Sequence, residues 1–128
     1  MRHMLKSKIH RATVTNANLD YDGSITIDVN LMKEANLLEY EQVHVWNVTK
    51  GTRFCTYVIE GEASSGYIII NGAAAHLANR GDVVIIASFD ILSEVEITNW
   101  DPVMVYVDDK NKIISKKTAK SVRNWQIG

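Results

Sequence analysis

Seven segments of four to seven residues, each rich in Val, Ile, Thr or Tyr, set the strongest limit on what this chain can fold into. They run Ile9 to Thr15, Ile25 to Val29, Gln42 to Asn47, Phe54 to Ile59, Tyr67 to Ile70, Val83 to Ala87 and Val103 to Val107. Turn residues separate them at Lys50-Gly51, Glu60-Gly61 and Arg80-Gly81-Asp82. β-branched and aromatic side chains suit a pleated, half-buried surface, and runs this short between turns predict strands of a compact barrel or sandwich. The fold class expected is all-β with short helices. Two helical pieces interrupt the pattern. Asn30 to Leu38 starts on a capping residue and puts Leu31, Ala35 and Leu38 near one face, and Gly72 to Ala78 follows Asn71. Pro102, the only proline, marks the edge of the last strand.

The chain has 128 residues, 46% of them hydrophobic, which is enough for the core of one domain over 1–128. Its net charge is −1, so no global basic field recruits nucleic acid or an acidic membrane. Ten of the 14 Lys and Arg residues lie near the ends, and the stretch from about 110 to 128 reads as a polar C-terminal tail. Cys55 is the only cysteine and forms no intramolecular disulfide. The apolar runs, such as Val83 to Ala87, are too short to span a bilayer, and the basic start is not followed by a signal-peptide core. These features predict a cytosolic protein.

The search for chemistry removes most options. His3, His10, His44 and His76 have no metal-ligand spacing, no thiolate cluster joins them, and no metal is expected. Neither a phosphate-binding Gly-rich loop nor a hydrolase nucleophile elbow is present. Tyr21-Asp22-Gly23-Ser24 is different. By itself it is a turn, since Gly accepts positive φ while Asp and Ser bond their own backbone. A Gly-Ser bond under strain has a further option. The serine hydroxyl attacks the glycine carbonyl, the resulting ester is lost by β-elimination to dehydroalanine, and hydrolysis leaves a pyruvoyl group. That group is an electrophilic carbonyl that forms a Schiff base with a substrate amine and withdraws electrons from its α-carbon.

Read together, Lys8-Ile9-His10-Arg11, Tyr21-Asp22-Gly23-Ser24, Trp46-Asn47-Val48-Thr49, Arg53-Phe54-Cys55-Thr56-Tyr57, Asn71-Gly72-Ala73-Ala74-Ala75-His76 and Gly81-Asp82-Val83-Val84-Ile85-Ile86-Ala87 carry a specific likeness. In this order, over nearly the whole chain, they resemble the pyruvoyl-dependent aspartate 1-decarboxylase family. The resemblance implies a double-psi β-barrel and a homotetramer with sites at subunit interfaces. It also implies decarboxylation of L-aspartate to β-alanine for pantothenate synthesis, with self-cleavage between Gly23 and Ser24 into chains 1–23 and 24–128. Some relatives need a maturation protein, so such a partner belongs to the expectation.

Carried over by resemblance, Ser24 becomes the pyruvoyl terminus and Tyr57 the proton donor, a role for which a phenolic hydroxyl is suited. Thr56 matches a residue that bonds the Gly23 carbonyl during cleavage and later touches substrate, as an oxyanion donor would. Packing in a strand is its plainer role. Lys8 and Arg53 match cations that hold the substrate carboxylates, with the planar fork of Arg53 assigned to the carboxylate that stays. Gly72, Ala73 and Ala74 match a backbone segment that contacts substrate, while Asn71, Tyr21, His10 and Trp46 match residues around the cleavage loop or pocket. Cys55 stands where a small hydroxyl residue is expected, and Asp22 where a longer acid also occurs. The competing reading is a small β-barrel that binds a ligand or partner and never cleaves.

Overall fold

The computed structural model describes residues 1–127. Nine strands make one mixed sheet: β1 Arg2–Thr13, β2 Asn16–Asn18, β3 Ser24–Asp28, β4 Gln42–Asn47, β5 Arg53–Gly61, β6 Ile68–Asn71, β7 Val83–Leu92, β8 Val103–Val107 and β9 Ile113–Thr118. Their order is β2-β6-β3-β5-β4-β7-β1-β8-β9. The fold is therefore all-β, as the segment pattern predicts.

Alternation along the strands builds the core. In β4, Val43 and Val45 are fully buried while Gln42, His44 and Trp46 face the other way. The inward residues Ile9, Ile25, Ile27, Val58, Ile68, Ile70, Val84, Ile86 and Val105 join them, and Leu31 and Met32 close over the cluster from helix α1, Val29–Glu34. Burying each such side chain contributes roughly 1.5–3 kcal/mol relative to exposure.

Strand β5 organises the site. Its first half pairs antiparallel with β4, from Trp46 opposite Arg53 to Gln42 opposite Tyr57. Its second half pairs parallel with β3, from Ile25 opposite Val58 to Asp28 opposite Gly61. Tyr57 is thus the last residue of one pairing, and Ser24 directly precedes the first pair of the other.

The helices differ from expectation. Helix α1 spans Val29–Glu34 and is capped by Asp28, whose carboxylate accepts from the Asn30 N–H, so the cap lies two residues before Asn30. Asn36 at φ 54 ends the helical run before Leu38. The Ala-rich piece is a 3-10 turn at Gly72–His76, and Asn71 makes no side-chain cap bond to it. Ser93 caps the short α2, Glu94–Ile97, through a reciprocal bond with Glu96. Pro102 precedes β8, which is not the last strand, and its carbonyl accepts from Ala119 N–H. The segment read as a polar tail holds β9, antiparallel to β8, and α3 at Ala119–Ile127.

Candidate active site

Ser24 opens β3 directly opposite Asn71 at the end of β6. Its side chain is 1% exposed. A buried hydroxyl needs a partner, and the Asn71 amide donates to Ser24 Oγ at 3.0 Å and to Thr26 Oγ1 at 3.1 Å. The Ser24 hydroxyl in turn donates to the Asp22 carbonyl at 3.3 Å. Asn71 is therefore occupied with the serine rather than with the 3-10 turn that follows it. Thr26 joins the group through its place on the same face as Ser24, two residues on, which is the signal in the sequence that could have found it.

The left-handed glycine of the site is Gly72, at φ +71, and Gly23 is not among the positive-φ residues. A Cβ on Gly72 would lie 2.7 Å from Gly23 Cα, 2.8 Å from Gly23 N and 3.0 Å from the Tyr21 carbonyl oxygen. Position 72 thus needs glycine for its backbone angle and for the room. This close approach seats the Gly72-Ala73-Ala74 segment against the Tyr21-to-Ser24 loop. Tyr21 itself is exposed, as is Ala73, while Ala74 is half-buried.

A second group forms on the outer face of β1, β4 and β5. The Trp46 indole lies between two cations, with Lys8 Nζ 5.6 Å and Arg53 Cζ 5.4 Å from its ring. Both are within the range at which an aromatic face attracts a cation. His10, two residues beyond Lys8, packs edge-to-face on Tyr106 at 5.4 Å. Its Nδ1 is buried with no hydrogen-bond partner among the described residues. Burial, then the charges of Lys8 and Arg11, lower its pKa from the ordinary 6.5.

Tyr57 shares the outer face of β5 with Arg53, and its ring lies 6.5 Å from that of Tyr40. Thr56 is half-buried opposite Val43, on the other face of the strand. The bonds of the Ser24 hydroxyl among the described residues go to Asn71 and Asp22, so the intact chain does not join Thr56 to it. The structure thus brings Gly23, Ser24, Asn71 and Gly72 together, and separately Lys8, Trp46 and Arg53. Arg53 and Tyr57 are four residues apart, about 13 Å along the strand at its usual rise. His44, considered above only as a metal ligand, and Tyr40, which the sequence does not mark, also face this surface; the alternation of β4 is the signal that places His44 there.

No group of three or more His, Cys, Asp or Glu side chains among the described residues could hold a metal ion. No described helix is long and apolar enough to cross a membrane. The site thus joins a buried serine, held by the Asn71 side chain and bonded to the Asp22 carbonyl of its own loop, with a separate pair of cations at Trp46. The model of the family described as aspartate decarboxylase matches residues 1–114, and the chain belongs to that family. It is 56% identical over 119 residues to the aspartate 1-decarboxylase of Myxococcus xanthus, covering 93% of this chain and 92% of that protein. It is 56% identical over 124 residues to the aspartate 1-decarboxylase of Dehalococcoides mccartyi, covering 97% of this chain and all of the relative. With that of Syntrophotalea carbinolica it shares 57% identity over 127 residues, covering 96% of this chain and 97% of the relative.

Proposed function

We propose that this chain decarboxylates L-aspartate to β-alanine and carbon dioxide after cutting itself between Gly23 and Ser24. The observation that carries the reading is the fixed contact of Asn71 and Gly72 with Ser24 and Gly23, in a chain of the aspartate decarboxylase family.

Cleavage uses only the chain's own atoms and water. Ser24 Oγ attacks the Gly23 carbonyl carbon, the peptide C–N bond breaks, and an ester remains. Loss of the ester by elimination frees the Gly23 carboxylate and leaves dehydroalanine, which water converts to a pyruvoyl group and ammonia. Asn71 supports this course by donating to Ser24 Oγ, which fixes the oxygen and leaves the hydroxyl proton directed away from Asn71, to the Asp22 carbonyl. Gly72 supports it by allowing its segment to abut Gly23, so that backbone and not side chain borders the scissile bond.

The residues present fit a pyruvoyl group, because the serine that would become it is already buried and flanked by a donor amide. That group supplies an electron-accepting carbonyl for the substrate amine. The chain's other residues bind and orient. Arg53 and Lys8 hold carboxylates, Trp46 keeps the two cations apart, and Tyr57 delivers a proton to the α-carbon. Thr56 and the Ala73 and Ala74 backbone border the substrate, and Tyr21 and His10 line the cleavage loop and pocket.

Among the described residues no side-chain hydrogen bond joins Lys8, Arg53 or Tyr57 to Ser24 or Asn71, which supports a site completed by a second copy of the chain, as in a homotetramer of double-psi β-barrels. The setting we infer is the cytoplasm, with β-alanine feeding pantothenate synthesis and a maturation protein as a further partner. Incubating purified chain with L-aspartate and assaying β-alanine tests the reading. Production supports it, and a clean single-chain protein that makes none favours a non-cleaving binding barrel.

A further inference from the structure

The strands β4 and β5 carry another chemical pair on the outer face they share with Trp46 and Arg53. His44 and Cys55 are direct cross-strand partners, two rungs and so the next on the same face from the Trp46 and Arg53 pair on one side and the Gln42 and Tyr57 pair on the other. Cys55 is exposed, and its Sγ lies 3.2 Å from His44 Nδ1 and 3.8 Å from Nε2. The imidazole is steadied by Phe89, edge-to-face at 5.2 Å and 81°. Both residues line an open cleft of about 750 Å³ together with Arg53, Trp46 and Phe89.

Three independent features of this place bear on the thiol. A base is within hydrogen-bond reach, so the thiol proton has somewhere to go as sulfur forms a bond. The cleft gives access. Its charge is one-sided: Arg53 lines it, no carboxylate does among the described residues, and Lys8 stands in the same row across the sheet through Ala87. Reactive cysteines occur in just such electropositive, accessible settings. Two cations either side of an indole suit a ligand with two carboxylates.

We propose that Cys55, with His44 as its base, is a covalent modification site for small anionic electrophiles of the α,β-unsaturated dicarboxylate class. The sulfur adds to the β-carbon, the π electron pair moves to the α-carbon, and the proton taken up by His44 is returned there. A C–S and a C–H bond form, the S–H bond and the C=C π bond are lost, and nothing leaves. The adduct stands on β5 between Arg53 and Tyr57 and obstructs the cleft. That last consequence rests on the function proposed above; the reactivity of the thiol does not.

The test labels the mature, folded protein with iodoacetate, iodoacetamide and fumarate, and reads adducts at Cys55 by peptide mass mapping. The folded chain should react with iodoacetate at least about tenfold faster than the same chain in denaturant, with iodoacetate preferred over iodoacetamide. Fumarate should add at Cys55 in the folded protein only. His44→Gln should slow labelling by about tenfold or more, and Cys55→Ser should take no label. Equal rates in folded and unfolded chain, preference for iodoacetamide, or no fumarate adduct each overturns the proposal. β-Alanine output, followed in parallel, should fall with the labelled fraction in wild type and hold in Cys55→Ser. Absence of any output from unlabelled protein counts against the decarboxylase reading while leaving the labelling result intact.

Discussion

Asn71 and Ser24 face each other across β6 and β3, and the Asn71 amide reaches Ser24 Oγ at 3.0 Å. One buried amide also serves Thr26 Oγ1, so removing it leaves two hydroxyls short of a donor.

Asn71→Ala should therefore destabilise the chain by about 1–3 kcal/mol, the usual cost of unpaired buried polar groups. It should also slow cleavage at Gly23. Thermal melts and the ratio of cut to uncut chain on a denaturing gel measure both. Wild-type stability together with wild-type cleavage would contradict the role assigned to the amide.

Gly72→Ala tests the contact with the cleavage loop. The added carbon meets Gly23 backbone at 2.7 Å and 2.8 Å, and φ +71 is unfavourable for alanine by about 1–2 kcal/mol before any clash. The loop must shift, so the expected outcome is a folded but less stable chain that stays uncut. Normal cleavage in this variant would show that Gly72 only closes a turn.

Tyr57 and Ser24 flank the point where β5 exchanges β4 for β3 as its partner. If Tyr57 acts on substrate and not on the scissile bond, Tyr57→Phe should cut normally and lose at least about 100-fold in turnover, as expected when a general acid is removed. Mass analysis and a β-alanine assay on one preparation separate the two effects. An uncut chain would move Tyr57 from turnover to maturation.

His10 gives a pH dependence of defined sign. Burial, then Lys8 and Arg11, lower its pKa below 6.5, so the folded chain binds this proton less readily than the unfolded chain. Its effect is absent above 6.5, and stability falls as pH drops through 6.5 towards the folded-state value. His10→Phe keeps an aromatic ring against Tyr106 and should flatten that part of a melting-temperature profile. An unchanged profile would mean His10 does not set it.

Much of this fold is legible in side-chain alternation. Gln42–Asn47 is a strand at its expected bounds because its apolar residues alternate cleanly, and Val103–Val107 because it is a short unbroken run dominated by β-branched and aromatic residues. Ile113–Thr118 was hidden by its Lys and Ser content, since an edge strand with one neighbour keeps polar side chains in solvent. Asn30 looked like a helix cap, but Asp28 has the carboxylate that also accepts from the Ser64 and Gly66 N–H groups, a tertiary contact that local spacing does not reveal. In the site, the pairing of Lys8 and Arg53 around Trp46 could not be read from positions 45 residues apart. The left-handed glycine was expected in the Asp22-Gly23-Ser24 turn and is found at Gly72, because the approach of two loops, and not the turn itself, demands the missing Cβ.

The most direct measurement is the intact mass of purified wild-type chain beside Ser24→Ala, with β-alanine assayed from the same samples. The account predicts two wild-type species, residues 1–23 and 24–128, the larger with a borohydride-reducible N-terminal ketone, and a single inactive species for Ser24→Ala. Wild-type protein that stays whole after prolonged warming, or β-alanine produced by Ser24→Ala, would contradict it.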